Sequence, residues 1–166
     1  MRNRREFLTG ASSVAVTLAA LGWARPARAA ACPICKTTSL LLPLSGTFFH
    51  PRDPCVQAGE NVALAGDVHV VTKVGQGFVV DLHLNMAGVD GTGQTSGSLY
   101  IGTGSNKFIG IQFPSEPCAP NPIRANFTLE TTNGCASVPL PLTAQLCFAA
   151  DGTLLPESTI VVGGVG

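Results

Sequence analysis

Apolar and polar positions alternate along most of the chain from residue 60 onward. Clusters of Gly, Pro, Asn and Asp divide this region into short segments, in which apolar or β-branched residues recur at every second position. The clearest segments are "NVALAGDVHVV", "GFVVDLHLNM", "GSLYIGTG", "KFIGIQF", "IRANFTLETT", "SVPLPLTAQLCFAA" and "STIVV". A period of two is typical of strands that bury one face. The pattern therefore predicts an all-β domain, an antiparallel sandwich or partly open barrel of about seven or eight strands.

The preceding part of the chain, residues 30–59, lacks this alternation. Its apolar runs are short, and prolines at positions 43, 51 and 54 interrupt them. Because proline removes a backbone donor and fixes φ, we expect one short strand followed by an irregular stretch. The chain accordingly divides into a leader at 1–29, an irregular arm containing Cys and Pro at 30–59, and the all-β domain at 60–166.

The leader has the layout of an export signal. A basic stretch precedes an apolar run over residues 11–23, and small residues follow. The run is shorter than the ~20 residues that a membrane-spanning helix needs, so we expect residues 1–29 to be removed rather than to anchor the protein. The stretch "NRREFL" resembles the twin-arginine export signal, with matches at Arg4, Arg5, Phe7 and Leu8. This resemblance covers the leader alone, and it implies export of a folded protein to the periplasm or the extracellular space.

Charge limits the possible partners. Removal of 29 residues from the 166-residue chain leaves 137, which suits one domain. Five basic residues against nine acidic ones give this remainder a net charge of −4. The sequence contains no basic patch that could neutralise phosphates, so nucleic acid is not expected as a partner. No membrane span is predicted in the mature protein.

All six cysteines follow the leader, at Cys32, Cys35, Cys55, Cys118, Cys135 and Cys147. An even number in an exported chain favours disulfides over free thiols. We expect the first three to hold the N-terminal arm and the last three to connect the later strands. With three cysteines in each group, one bond must cross between the groups or a cysteine must stay free. The spacing of "CPIC" also suits a redox pair or half a zinc knuckle, but neither a helix start nor a second pair accompanies it.

Two of the three histidines fall on one predicted hairpin, within "GDVHVVTKVGQGFVVDLHLN". If "GQG" is a three-residue turn, His69 lies opposite His83 and Asp81 occupies the adjacent rung. Opposed residues have Cβ atoms roughly 4.5–5.5 Å apart, so the three side chains form a candidate zinc or copper site. A solvated sheet face is the simpler interpretation, because half-buried hairpins direct polar residues outward and Lys73 shares this face. No other cofactor is predicted.

The Gly-rich loop over residues 87–98 admits three interpretations. A phosphate cradle needs a helix after the loop, whereas the strand-like segment "SLYIGTG" follows it. A calcium loop needs several carboxylates, and Asp90 is alone here. A flexible connection or hairpin turn therefore fits best.

Two functional hypotheses follow. The first is an exported, disulfide-stabilised β-domain with a non-catalytic binding or structural role, acting on an unknown ligand or protein partner. The alternative is a transition-metal-binding protein or a small enzyme that uses the His69 and His83 face, with one histidine as general base. No complete catalytic signature is present, so catalysis is not indicated. A concave pocket containing both histidines would favour the enzyme, and a flat exposed face would count against it.

Overall fold

The computed structural model of the chain describes residues 36–52 and 57–163. These residues form an antiparallel all-β structure, which confirms the predicted fold class. The strands are β1 (Lys36–His50), β2 (Glu60–Val74), β3 (Val79–Met86), β4 (Asp90–Gly93), β5 (Leu99–Thr103), β6 (Ser105–Gln112), β7 (Pro122–Thr131), β8 (Val138–Gln145) and β9 (Thr159–Val162). A single 3-10 turn at Gln76–Phe78 joins β2 to β3. No helix in this part of the chain is long and apolar enough to cross a membrane.

The nine strands belong to one sheet, which is not closed into a barrel. Its hydrogen-bonded order is β6-β3-β2-β4-β5-β7-β8-β9, and β1 pairs with β2 outside this path. β2 pairs along its whole length with β1. On its other side β2 pairs first with β4 and then with β3. β2 is therefore the strand that connects the two halves of the sheet.

Gly66 lies where β2 changes partner from β4 to β3. Its φ of +142° lies in a region that favours glycine, and a Cβ at this position would overlap the carbonyl of Gly88. The turn from β3 to β4 crosses here, where the amide of Ala87 donates to the carbonyl of Asp67 at 3.1 Å. The glycine thus allows two successive strands to share one side of β2.

One face of the sheet encloses the core. In β2 every even-numbered position from Glu60 to Val74 except Gly66 is buried, whereas the odd-numbered positions are exposed or half-buried. β3 and β7 alternate in the same way, and so does β8 except that Thr143 is buried as well. The period of two read from the sequence is therefore the alternation between core and solvent. The largest buried apolar side chains include Leu44, Leu82, Leu84, Tyr100, Leu129, Leu140, Leu142 and Leu146.

In the arm at 30–59 the sequence predicted one short strand followed by an irregular stretch, whereas residues 36–50 form one continuous 15-residue strand, β1. Pro43 lies inside this strand, opposite Asp67. Proline is tolerated because β1 pairs only with β2, so the missing donor can face away from its partner. Leu42 and Leu44, which flank Pro43, are buried in the core. The alternation of β1 between buried and exposed positions was not recognisable in the sequence, because the exposed positions include the apolar residues Leu41 and Phe49.

One disulfide connects two cysteines of the later part of the chain, as expected. Cys118, in the loop after β6, is bonded to Cys147, which follows β8. Cys135 is disulfide-bonded as well. Cys32, Cys35 and Cys55 lie outside the described residues, as do the cleavage position and the residues of the twin-arginine resemblance.

Candidate functional site

The β2–β3 hairpin differs in register from the predicted one. Val74 pairs with Val80, so five residues instead of three separate the last paired positions of the hairpin. Gly77 and Phe78 both have positive φ, and the amide of Gly75 donates to the carbonyl of Val79 at 2.7 Å to close the turn. The register therefore moves by two residues. Because two is the period of a strand, every side chain stays on its predicted face.

The new register separates the two histidines. His69 lies opposite Asn85, and His83 lies opposite Val71, so the expectation that the histidines face each other is wrong. They remain on the same outward face as diagonal neighbours, a relation that places side chains roughly 7–8 Å apart. Asp81 lies opposite Lys73. No group of three or more His, Cys, Asp or Glu side chains within the described ranges is arranged to hold a metal ion. The metal site at His69, His83 and Asp81 stays a prediction.

His69 instead contacts the edge strand β1. Its Nε2 lies 2.6 Å from Oγ of Ser39, at hydrogen-bond distance. A serine bonded to a histidine is the minimal pair for nucleophilic catalysis, but a working site also needs a group that orients the imidazole. Among the residues that the structure describes, no carboxylate bonds to the other ring nitrogen of His69. The pair fixes the imidazole against β1 without completing a catalytic arrangement.

His83 lies in a shallow depression on the outward face of β2, β3 and β6, which we call the outward depression. Its volume is about 220 Å³. His83 pairs directly with Lys107 of β6, and Lys73 of β2 pairs directly with Asp81 of β3. The depression does not include His69, so it does not join the two histidines as the enzyme hypothesis required. Its lining residues are Val71, Lys73, Asp81, Leu82, His83 and Lys107.

The carboxylate of the outward depression is held by the backbone. A β-bulge interrupts the pairing of β3 with β6 opposite Asp81. Gly110, in this bulge, has a φ of +69°, and its amide donates to Oδ1 of Asp81 at 3.0 Å. Lys36 forms an ion pair with Asp151, whereas neither Lys73 nor Lys107 forms an ion pair with a carboxylate of the described residues.

A second polar cluster, which was not predicted from the sequence, lies inside the protein. Glu60 begins β2 on the core face and is only 3% exposed. Its Oε2 accepts hydrogen bonds from the amides of Thr95 (3.2 Å) and Ser96 (3.0 Å). Its Oε1 accepts from the hydroxyls of Ser96 and Tyr100, both at 2.7 Å. We call these residues the Glu60 cluster.

The donors of the Glu60 cluster keep its carboxylate ionised. Burial raises the pKa of Glu60, but the hydrogen bonds from Ser96, Tyr100 and the Thr95 amide outweigh burial and lower the pKa to about 2. The Gly-rich segment 87–98 is not a loop throughout, because its residues 90–93 form strand β4; the predicted hairpin turn is residues 94–98, between β4 and β5. Its amides also bind an anion, which is the carboxylate of the same chain.

Gly93 and His50 complete the surroundings of this carboxylate. A Cβ at Gly93 would overlap the carboxylate of Glu60, so only glycine leaves room for it. His50 ends β1 opposite Glu60 and is fully buried. Its Nδ1 donates to the carbonyl of Pro51 at 2.8 Å, and its ring lies 5.4 Å from the ring of Tyr100. His50 is therefore part of the interior and does not join the outward histidines.

The sequence did contain a signal for Glu60. Glu60, Val62 and Leu64 share the phase of the buried positions of β2, so extending the alternation by one step places the carboxylate in the core. The partners of Glu60 carried no such signal, because they lie 35 to 40 residues later in the chain.

Comparison with known proteins identifies no relative of this chain. No family model matches it, and no match was found among curated proteins or solved structures.

Proposed function

We propose that this protein is an exported β-domain, stabilised by disulfides, with a non-catalytic binding role outside the cytoplasm. The observation that carries the proposal is the Cys118–Cys147 disulfide in a small antiparallel domain. Disulfides persist in oxidising compartments and are rare in the cytoplasm. The resemblance of the leader to the twin-arginine signal supports the same compartment.

Fractionation of a bacterial host that exports by the twin-arginine route tests this proposal. We expect the wild-type protein in the periplasmic or extracellular fraction, shortened by about 29 residues, with Cys118 bonded to Cys147 on mass spectrometry. The variant Arg4→Lys with Arg5→Lys should remain uncleaved in the cytoplasm, because it lacks the paired arginines of the signal. Cytoplasmic wild-type protein with reduced cysteines would contradict the proposal.

The proposed disulfide role has a separate test. The Cys118–Cys147 disulfide should stabilise the domain by about 2–4 kcal/mol, chiefly because it restricts the unfolded chain. We expect Cys118→Ser with Cys147→Ser to lower the melting temperature without changing the far-ultraviolet circular dichroism of the folded state. An unchanged melting temperature would remove the stabilising role from the proposal.

Binding is favoured over catalysis by the arrangement of the outward face. The Ser39 and His69 pair has no described orienting carboxylate, and the outward depression contains no serine or cysteine to act as nucleophile. β2 and β3 are paired with neighbouring strands on both sides, so they present their polar side chains from a fixed backbone, which suits recognition.

A second candidate function is transition-metal binding at His69, His83 and Asp81. It is favoured by the shared outward face of the two histidines, and opposed by Lys73 and Lys107, which lie directly opposite Asp81 and His83. Zinc and copper titrations at pH 7.5 compare the wild type with His69→Ala plus His83→Ala. Equal uptake by both proteins would remove this candidate. Loss of one metal equivalent from the double variant would establish it in place of the non-metal binding role.

A further inference from the structure

The cationic side chains of the outward depression are concentrated on three adjacent strands. Lys107 of β6 pairs with His83 of β3, and Lys73 of β2 is the diagonal neighbour of His83. The part of the chain after the leader has only five Lys and Arg residues. Two of these five line one depression of a domain whose net charge is negative. An anionic ligand in the outward depression would therefore lie near two ammonium groups and one imidazole.

Asp81, the carboxylate in the outward depression, offsets only one of the two lysine charges. Asp81 lies directly opposite Lys73, yet the two form no ion pair, and Oδ1 of Asp81 is bonded to the amide of Gly110 on β6. Counting Asp81 against Lys73 and Lys107 leaves one net positive charge before any proton on His83. His69 is also titratable and lies on the same outward face, where it is hydrogen-bonded to Ser39 on β1.

From this arrangement we infer that Lys73, His83 and Lys107 form a binding site for a small oxyanion, namely a phosphate or carboxylate group of a soluble ligand. The inference specifies the ligand class of the proposed binding role and rests on that role. Ammonium and imidazole groups supply the charge-assisted hydrogen bonds that bind such anions. The volume of about 220 Å³ is below the ~300–1,000 Å³ of sites for drug-sized ligands, so it fits a single anionic group.

Titration of the ¹⁵N-labelled, oxidised protein with inorganic phosphate tests the inference directly. Ionic strength is held constant with sodium chloride, since surface electrostatics are screened by salt. We expect saturable shifts of the amide signals of Val71, His83 and Lys107. The signals of Leu99 and Ile101, which line a separate depression on β4 and β5, should not move. Shifts that chloride reproduces, or shifts at Leu99 and Ile101 alone, would overturn the inference.

Variants separate a site from a general charge effect. Lys73→Gln with Lys107→Gln should weaken phosphate binding at least about tenfold, the loss expected from two charge-assisted contacts. The matched control is Arg52→Gln with Arg124→Gln, which removes the same charge from exposed positions outside the depression. It should keep the wild-type affinity to within about twofold. Equal weakening in both double variants would overturn the inference.

A substitution of Asp81, the carboxylate in the outward depression, should change phosphate affinity in the direction opposite to the lysine substitutions. Asp81→Asn removes one negative charge while leaving an oxygen that can accept from the Gly110 amide. We expect it to strengthen phosphate binding, because the repulsion between Asp81 and the anion is gone. A cation site predicts the reverse, weaker zinc binding in Asp81→Asn. Unchanged or weaker phosphate binding in this variant would contradict the oxyanion site.

Two further probes define the ligand. Succinate, which carries carboxylates and no phosphate, distinguishes the two oxyanion classes, and saturable binding of either one supports the inference. Zinc binding at these residues, without binding of phosphate or succinate, would replace the oxyanion site by a metal site. These results do not affect the fractionation experiment, so the oxyanion site can fail while export and disulfide formation are still observed.

Discussion

The Glu60 cluster and the outward depression both contain charged side chains of the same sheet. They differ in whether those charges are buried and hydrogen-bonded or exposed to solvent. The carboxylate of Glu60 is buried and receives four hydrogen bonds from one loop and one tyrosine. The side chains of Lys73 and Lys107 are exposed and form no ion pair with a carboxylate of the described residues. The first cluster is thus satisfied by the chain itself, whereas the second remains accessible to a ligand.

This contrast separates the polar residues that we expect to stabilise the fold from those that we expect to bind a ligand. A buried ionised group contributes to stability only when the folded chain satisfies it, and its removal leaves donors without an acceptor. An exposed charge contributes little to stability, because water and salt screen it in both the folded and unfolded states. We therefore expect substitutions in the Glu60 cluster to change stability and substitutions in the outward depression to change binding.

The largest effect is expected from Gly93→Ala. The added Cβ overlaps the carboxylate of Glu60, so Glu60 must move and lose hydrogen bonds in a closely packed site. Overpacking together with lost bonds should cost about 3 kcal/mol of unfolding free energy, measured by urea denaturation. Gly75→Ala is the matched control. Gly75 has a negative φ of −101° and only ordinary contacts, so this change should cost less than about 0.5 kcal/mol. Equal losses would contradict the close approach at Gly93.

Glu60→Gln should have the next largest effect. The amide replaces one acceptor oxygen with a donor, which then faces donors of Ser96 or Tyr100. We expect a loss of about 2 kcal/mol in urea denaturation, the usual scale for disrupting a buried charged hydrogen-bond network. Glu130→Gln is the control, because Glu130 is exposed and accepts from the Thr103 hydroxyl. If both substitutions cost the same, the buried network does not stabilise the fold as described.

The stability of the protein should decrease in acid because of the same carboxylate, that of Glu60. The folded pKa of Glu60 is lowered from 4.5 to about 2, so the unfolded chain takes up this proton first as the pH falls. The contribution of Glu60 is therefore fully present above pH 4.5 and is lost as the pH falls towards 2. Thermal unfolding of the wild type between pH 6 and pH 2 should show a steeper loss of stability than that of Glu60→Gln. Parallel profiles for the two proteins would mean that Glu60 titrates normally in the folded state.

The smallest change in stability is expected from Lys73→Gln with Lys107→Gln. Neither lysine has a described ion pair, and both side chains are exposed. Their removal should alter the unfolding free energy by less than about 0.5 kcal/mol, and relief of repulsion between like charges could raise it. A loss of several times this size would indicate that the lysines stabilise the sheet.

The fold was predictable because alternation is a local property. The period of two identified the later strands, and it also kept His69 and His83 on one face when the register proved different by two residues. The register itself was not predictable, since it depends on a turn in which Phe78 adopts a positive φ. β1 was missed because Pro43 and the exposed Leu41 and Phe49 obscure its pattern.

The sites were less predictable, because their members come from distant parts of the chain. Sequence reasoning named His83 and Asp81 but could not place Lys107 beside them, since the pairing of β3 with β6 depends on the whole sheet. For the loop at 87–98 it considered a phosphate cradle and rejected that interpretation for lack of a helix. The loop amides do bind an anion, but recognising Glu60 as that anion required the pairing of β2 with β4.

The most direct test measures stability and phosphate affinity together, on Glu60→Gln and on Lys73→Gln with Lys107→Gln. The account predicts that Glu60→Gln lowers the urea midpoint while its phosphate affinity, measured where it is fully folded, equals that of the wild type. It predicts that the lysine variant loses phosphate affinity while its urea midpoint is unchanged. If either variant changed both properties together, stability and binding would not belong to separate regions, and the central claim would be contradicted.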